Sequence, residues 1–377
     1  LVGYYLWHRA YALAGEGAPP ASWLALSAMP LGFTGVAYFN ARFWLRKVEL
    51  DKPAPVGWLP ISVGVAAILA VGAAASWPLR DPGGSQALEG DPNLVLITVD
   101  GLRRDDVGLH GGRETPVIDA LGARGTVFND AIGPTPGTRA ANATVLVGLH
   151  PLRLRVLRDT DPLSRGYGSL FEALADEGWA TAAFVSSSAV ESGSGLDQGF
   201  RSFDDNFAPG PSGMGALVLC RDVLAVGRML GMPAPWRSAP ATAEQAVAWL
   251  ERHGELPFGV WIHLADPHRA STPQEGVDAV DAAVGSILDA LSQAGVAGRT
   301  TVIVAGTHGD LRGAHGGEGN RTLFDEVLRV PLIVAPPSPP KVSKVEAQVR
   351  LMDVANTAVV MMGLDPLPNS EGIGLQD

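Results

Sequence analysis

Four of the eight histidines stand at or just beyond the ends of two apolar runs. His263 and His268 flank Asp266 in FGVWIHLADPH, and His308 and His315 fall in TVIVAGTHGDLRGAHGG. Histidine in such a position can ligate a metal or act as a general acid. A third run, NLVLITVD, ends on Asp100, whose carboxylate suits a hard divalent cation such as Mg, Ca or Mn and also serves Zn. Each residue has a plainer use: an aspartate at a strand end often forms a turn or cap, and a lone histidine is more often structural. Their convergence on one sheet edge is what turns the reading towards a site. Thr138 opens a helical pattern in PTPGTRAANATVLVGLHP. It is either an N-cap or a metal-activated nucleophile whose negative charge the helix terminus stabilises; spacing alone leaves both open.

These residues need a scaffold that gathers strand ends. The runs at 93–100, 180–187, 258–266, 300–306 and 330–335 are continuous and apolar, as strands buried on both faces of a parallel sheet are. Between them, 138–149, 168–178, 242–253 and 277–295 carry apolar residues near i, i+3, i+4 and i+7, the helical period. Strands alternating with helices predict an α/β fold, a mostly parallel sheet sandwiched by helices. Ligands of such folds gather beyond the carboxyl ends of strands, where Asp100, the His263–His268 segment and the Thr307–His308 pair fall.

A chain of 377 residues holds one large domain or two. Its formal charge of −11 argues against a nucleic-acid partner. The single cysteine, Cys220, can close no intramolecular disulfide and has no Cys or His cluster beside it to make a zinc finger.

Residues 1–79 read as a transmembrane region. No charge interrupts 56–79, long enough to cross a bilayer core, and Trp58 and Trp77 stand near its ends, where indole rings favour the interface. Helices are expected near 21–40, interrupted by Pro30, and at 57–78. The loop between them carries Arg42, Arg46, Lys47 and Lys52, which marks it as cytoplasmic and sends the chain outward through the second helix. Residues 80–92 have linker composition, leaving 93–377 as an extracytoplasmic (periplasmic or extracellular) α/β domain beside the lipid bilayer.

Several motifs in series resemble the sulfatase family of the alkaline-phosphatase-like superfamily. NLVLITVDGLRRDDVGLHG is similar to its opening N-V-(L/I)-L-I-x-x-D-x-L-R-x-D, and TRAANATVLVGLHP to its nucleophile helix. GLDQGFRSFDD, FGVWIHLADPH, TVIVAGTHGDLRGAHGG and TLFDEVLRVPLIV follow in the family's order, so the likeness covers roughly 93–365. The resemblance implies that Asp100, Thr138, Thr307 and His308 occupy the positions that hold one divalent metal ion (Ca, Mg, Mn or Zn). It places Thr138 at the nucleophile, His268 at the histidine of D-P-H, and His315 at the histidine of E-H-G, as catalytic groups. The implied reaction is attack on a phosphate or sulfate ester, its substrate a small molecule or a lipid headgroup.

The chain also departs from that pattern. Thr307 stands where the family carries an aspartate, and a neutral hydroxyl is the poorer ligand for a hard cation. Gly101 follows Asp100 where many sulfatases carry a second Asp or Asn, and Ala140, Ala141 and Asn142 replace the usual Pro, Ser and His or Arg. Thr138 is neither the Cys nor the Ser that formylglycine formation requires; it resembles the nucleophile of the superfamily's phosphodiesterases and phosphotransferases. Two readings follow: a metal-dependent hydrolase or phosphotransferase at the membrane surface, or a catalytically degenerate, membrane-tethered binding domain.

Overall fold

The computed structural model describes Ala87 and residues 90–207 and 236–375, all within one unit, Asp81–Asp377. The helices expected near 21–40 and 57–78 lie outside the described residues, and among the described residues no helix is long and apolar enough to cross a membrane.

The chain runs β1 (Asn93–Asp100), α1 (Pro116–Ala123), β2 (Thr126–Ile132), α2 (Thr138–Val147), α3 (Pro151–Leu154), α4 (Leu170–Asp176), β3 (Ala180–Val185) and β4 (Ser202–Asp204). It continues through α5 (Ala239–His253), β5 (Phe258–Leu264), α6 (Asp266–Arg269), α7 (Pro273–Gln293), β6 (Thr300–His308), α8 (Asp325–Leu328), β7 (Arg329–Ala335), β8 (Lys344–Arg350) and α9 (Asp353–Met361). One eight-stranded sheet has the order β4-β3-β5-β1-β6-β7-β2-β8. The pairs β1–β5, β1–β6, β3–β5, β3–β4 and β2–β8 are parallel, whereas β7 runs antiparallel to β6 and β2.

Every residue of β1 is buried, as a strand with helices on both faces must be. Successive side chains of a strand point to opposite faces. Leu94 and Leu96 therefore join Trp261 and Ile303 under α2, α4 and α9, packing with Ala140, Phe171 and Ala355. Val95, Ile97 and Val99 join Val260, Ile262 and Val302 under α1, α5 and α7, packing with Ile118, Leu250 and Val284. Local chemistry fixes the helix starts. Ser169 and Glu172 close a capping box on α4, and Thr272 accepts from the Glu275 amide ahead of Pro273 on α7. These two cores hold the carboxyl ends of β1, β5 and β6 side by side.

Candidate active site

Asp100 lies on the α2 face of β1, at a place where the sheet loses its register. Val99 pairs with Gly306 but Asp100 pairs with His308, so Thr307 is the extra residue of a bulge. A bulge sets two consecutive residues of one strand against one of its partner. Both side chains of the Thr307–His308 pair consequently face a single carboxylate. Thr307 Oγ1 donates to Asp100 Oδ1 at 2.5 Å, and His308 Nε2 stands 3.7 Å from the same oxygen.

The other carboxylate oxygen faces α2 and β5. Thr138 Oγ1 donates to Asp100 Oδ2 at 2.8 Å. His263 Nε2 lies 3.1 Å from Oδ2 but off the hydrogen-bond line, so both of its ring nitrogens are buried without an aligned partner. Burial pushes Asp100 upward, but the charges of His263 and His308 and the Thr307 hydroxyl outweigh it and hold the carboxyl well below the usual carboxylate range. Asp100 is thus a fixed anion.

Thr138 is the first residue of α2, preceded by Gly137 in extended conformation. All ten residues of this helix are buried. The next residue, Arg139, is anchored by its amide to Asp159 (2.8 Å) and by its guanidinium to the carbonyls of Ala189 and Asp161. Asn142 donates back to the Thr138 carbonyl at 2.9 Å. At the other end Gly148 closes the helix at φ 73°, and its carbonyl accepts from Glu371, Gly372 and Ser370. The Thr138 hydroxyl is therefore held from both ends of its helix.

His268 approaches from α6. Its Nδ1 lies 2.6 Å from Asp310 Oδ2, and its ring stands perpendicular to that of His308 with centroids 5.7 Å apart. The hydrogen bond to Asp310 raises the His268 pKa against an opposing effect of burial. Arg103 supports the Asp310 segment by donating to the carbonyls of Asp310 and Leu311. Arg312 spans Asp106 (2.6 Å) and the Gly101 carbonyl (2.7 Å). Gly101 itself has φ +73°, and a Cβ placed on it would lie 2.9 Å from both the Cβ and the backbone nitrogen of His268. No side chain fits there, so the glycine that follows Asp100 is dictated by how closely α6 packs.

Of the residues singled out from sequence, Asp100, Thr138, Thr307, His308 and His268 gather on one sheet edge. His315 stands apart, with φ 55°; its ring stacks on Phe324 at 3.9 Å and faces Glu326 at 3.2 Å, and it is side-chain exposed. Asp310 and Asn320 were not singled out as site residues. Asn320 donates to the Pro136 carbonyl at 2.8 Å and lies 3.4 Å from both His308 ring nitrogens. It opens Asn320-Arg321-Thr322, a triplet of the N-x-[ST] form, which points to a surface loop and not to that placement.

The donor atoms of Asp100, Thr138, Thr307 and His308 lie between 2.5 and 3.7 Å from one another where they meet. His308 tests whether they suit a cation. Its Nδ1 is 3.0 Å from the Gly309 carbonyl, which can only accept, so Nδ1 carries the proton. When the ring gives up its Nε2 proton, the form in which it could take up a cation, Nε2 turns a lone pair towards Thr138 Oγ1 (3.4 Å) and Asp100 Oδ1. Acceptors that face one another are reconciled by a cation between them, and the four residues fit one on that ground. Their charge sets its affinity low, because only one ligand is anionic. Among the described residues, no group of three or more His, Cys, Asp or Glu side chains is placed to hold a metal ion.

Fold and site together define an α/β protein built around a buried cluster of hydroxyls, one carboxylate and imidazoles at the carboxyl edge of its sheet. A family model described as Sulfatase matches residues 92–364. The chain belongs to the sulfatase family. A sulfatase of Formosa agariphila is 29% identical over 99 residues, which is 26% of this chain and only 20% of that relative's length. The crystal structure of a phosphonate monoester hydrolase of Agrobacterium radiobacter superposes with a TM-score of 0.59 at 20% identity, covering 75% of this chain and 76% of that one. A protein solved in complex with its substrate D-glucosamine-2-N,6-O-disulfate superposes with a TM-score of 0.61 at 15% identity, covering 76% of this chain and 79% of that one.

Proposed function

We propose that this protein is a hydrolase or phosphotransferase of phosphate, phosphonate or sulfate esters, working at the extracytoplasmic face of a membrane. The carrying observation is the Thr138 hydroxyl at the N-terminus of α2, 2.8 Å from Asp100 Oδ2 and 3.4 Å from His308 Nε2. A divalent cation held by Asp100, Thr138, Thr307 and His308 would supply the positive charge that lowers the hydroxyl's pKa. With its proton lost to solvent once the hydroxyl's pKa is lowered, Thr138 Oγ1 attacks the phosphorus or sulfur and displaces the leaving oxygen, and the α2 terminus stabilises the charge that develops. His268, whose pKa is raised by its hydrogen bond to Asp310, delivers a proton to the departing oxygen. The covalent threonyl ester is then released to water or to an acceptor alcohol. Phosphoryl transfer is favoured over sulfate hydrolysis, since Thr138 cannot become the formylglycine on which sulfatases rely.

Names of similar proteins support the ester class: one is a phosphonate monoester hydrolase and another binds a sugar sulfate. The membrane setting is supported by the uncharged run at 56–79 and the basic loop before it. A screen of aryl phosphate mono- and diesters, with and without added Mn, Zn, Ca or Mg, tests the reading. Turnover that Thr138→Ala abolishes is expected, and equal rates in parent and variant would exclude this nucleophile.

A second reading, a ligand-binding domain without chemistry, is favoured by one specific feature. Both oxygens of Asp100 already accept hydroxyl protons, from Thr307 and Thr138, which competes with cation binding. Failure to bind any divalent cation, together with no turnover, would establish it.

A further inference from the structure

Beside the N-terminus of α2 lies a cleft of about 580 Å³, lined among others by Thr135, Gly137, Arg158, Thr160, Asn320 and Arg321. That volume is in the range of small-molecule sites. It adjoins the reacting atoms: Gly137 directly precedes Thr138, and Asn320 touches both the Pro136 carbonyl and the His308 ring. Arg158 and Arg321 are exposed, and neither guanidinium makes an ion pair or hydrogen bond among the described residues. The backbone that carries Arg158 is nevertheless anchored, on a turn whose Leu157 and Arg158 amides both donate to Asp161 Oδ2. Among the described residues the one carboxylate on the lining, Asp159, accepts from the Arg139 amide at 2.8 Å.

We infer that this cleft recognises a second negative charge on the substrate, so that the protein acts on esters carrying another carboxylate, sulfate or phosphate near the reacting group. The inference rests on Thr138 as the reacting residue of the proposed function. Arginine suits the task because its planar fork pairs with the oxygens of carboxylate and phosphate. Two unpaired forks opening onto a cleft beside a buried hydroxyl leave the reacting ester at Thr138 and the second anion at Arg158 and Arg321. Such a substrate is either a soluble polyanionic ester or an anionic lipid headgroup. Leu157, 55% exposed on the cleft wall, gives apolar contact with either an aglycone or an acyl chain.

Calorimetric titration of the full chain with benzene-1,3-disulfonate and with benzenesulfonate separates this site from the chemistry at Thr138. The expected result is that the disulfonate binds the parent at least tenfold more tightly than the monosulfonate. That preference survives in Thr138→Ala and is lost in Arg158→Gln/Arg321→Gln. Displacement of the disulfonate by phosphatidylglycerol vesicles assigns the second charge to a lipid headgroup, and displacement only by soluble anions assigns it to a soluble ester. Equal affinity for the two sulfonates in the parent, or a preference untouched by the double substitution, overturns the subsite. Loss of turnover in Thr138→Ala bears on the proposed nucleophile, whereas the sulfonate comparison stands without turnover.

Discussion

Thr307 donates its hydroxyl proton to Asp100 Oδ1 across 2.5 Å, from the extra residue of the β6 bulge. The bulge delivers a side chain to the carboxylate, and the side chain delivered is neutral. Restoring the charge by Thr307→Asp should raise affinity for Mn about tenfold or more, since carboxylate number governs attraction for a hard cation. Without metal, two facing carboxylates repel, so the variant should melt below the parent and rise above it when Mn is added. A calorimetric titration and a pair of melting curves check both signs; an unchanged Mn affinity would remove Thr307 from the cation site.

Gly101 predicts the opposite outcome for the neighbouring position. At φ +73°, with a Cβ 2.9 Å from the His268 backbone, Gly101→Asp cannot add a ligand without displacing α6. The variant should lose about 1–3 kcal/mol of stability in chemical denaturation, from left-handed strain and overpacking together. A gain in metal affinity without that loss would contradict the packing account.

Asp266 offers a test of pH linkage. Burial pushes its carboxyl from 3.8 up to about 6, although it accepts from the Ala239 amide at 2.7 Å and so caps α5. The folded state therefore binds this proton more tightly than the unfolded chain. The contribution is fully present below pH 3.8 and is lost as pH rises through about 6. Asp266→Asn keeps the acceptor without the charge. It should stabilise the protein by about 1–3 kcal/mol at pH 8 and by little at pH 4, as read from denaturation curves at the two pH values.

His268 sets a second pH dependence. Its pKa is raised above 6.5 by the Asp310 hydrogen bond, so the protonated acid persists to higher pH than an ordinary histidine. Turnover of esters with poor leaving groups should hold until pH passes that raised value and then fall about tenfold per unit. Asp310→Asn should shift the fall to lower pH, while esters of 4-nitrophenol, which need no acid, change less. Superimposable profiles for parent and variant would rule out His268 as the proton donor.

How far the fold was legible follows from what each segment does. β1, β3, β5, β6 and β7 are continuous apolar runs because helices cover both faces of the sheet, and each was found within a few residues. β2 and β8 escaped because they carry polar side chains, as in TVFNDAI and KVEAQVR; β8 is an edge strand and largely exposed. The antiparallel course of β7 has no signature in VPLIVA, since an apolar run states burial and not direction. At the candidate site, residue types at or just after strand ends singled out Asp100, His268 and His308, and Thr138 was singled out at a helix start. The bulge that turns Thr307 and His308 towards one carboxylate could not be read, because it depends on the register between two strands more than two hundred residues apart in sequence. Asp310 was hidden for a related reason: its meaning comes from His268, on α6 and forty-two residues away in sequence. His315 sat in a motif that suggested the site, yet it stacks on Phe324 at the surface.

The most direct test of Thr138 as nucleophile is peptide mass mapping after rapid acid quench of the full chain turning over an aryl phosphate. A phosphoryl group is expected on the peptide bearing Thr138 and is expected to be absent from Thr138→Ala. Turnover with Thr138 unmodified at every quench time, or a phosphoryl group found on another residue, would contradict it.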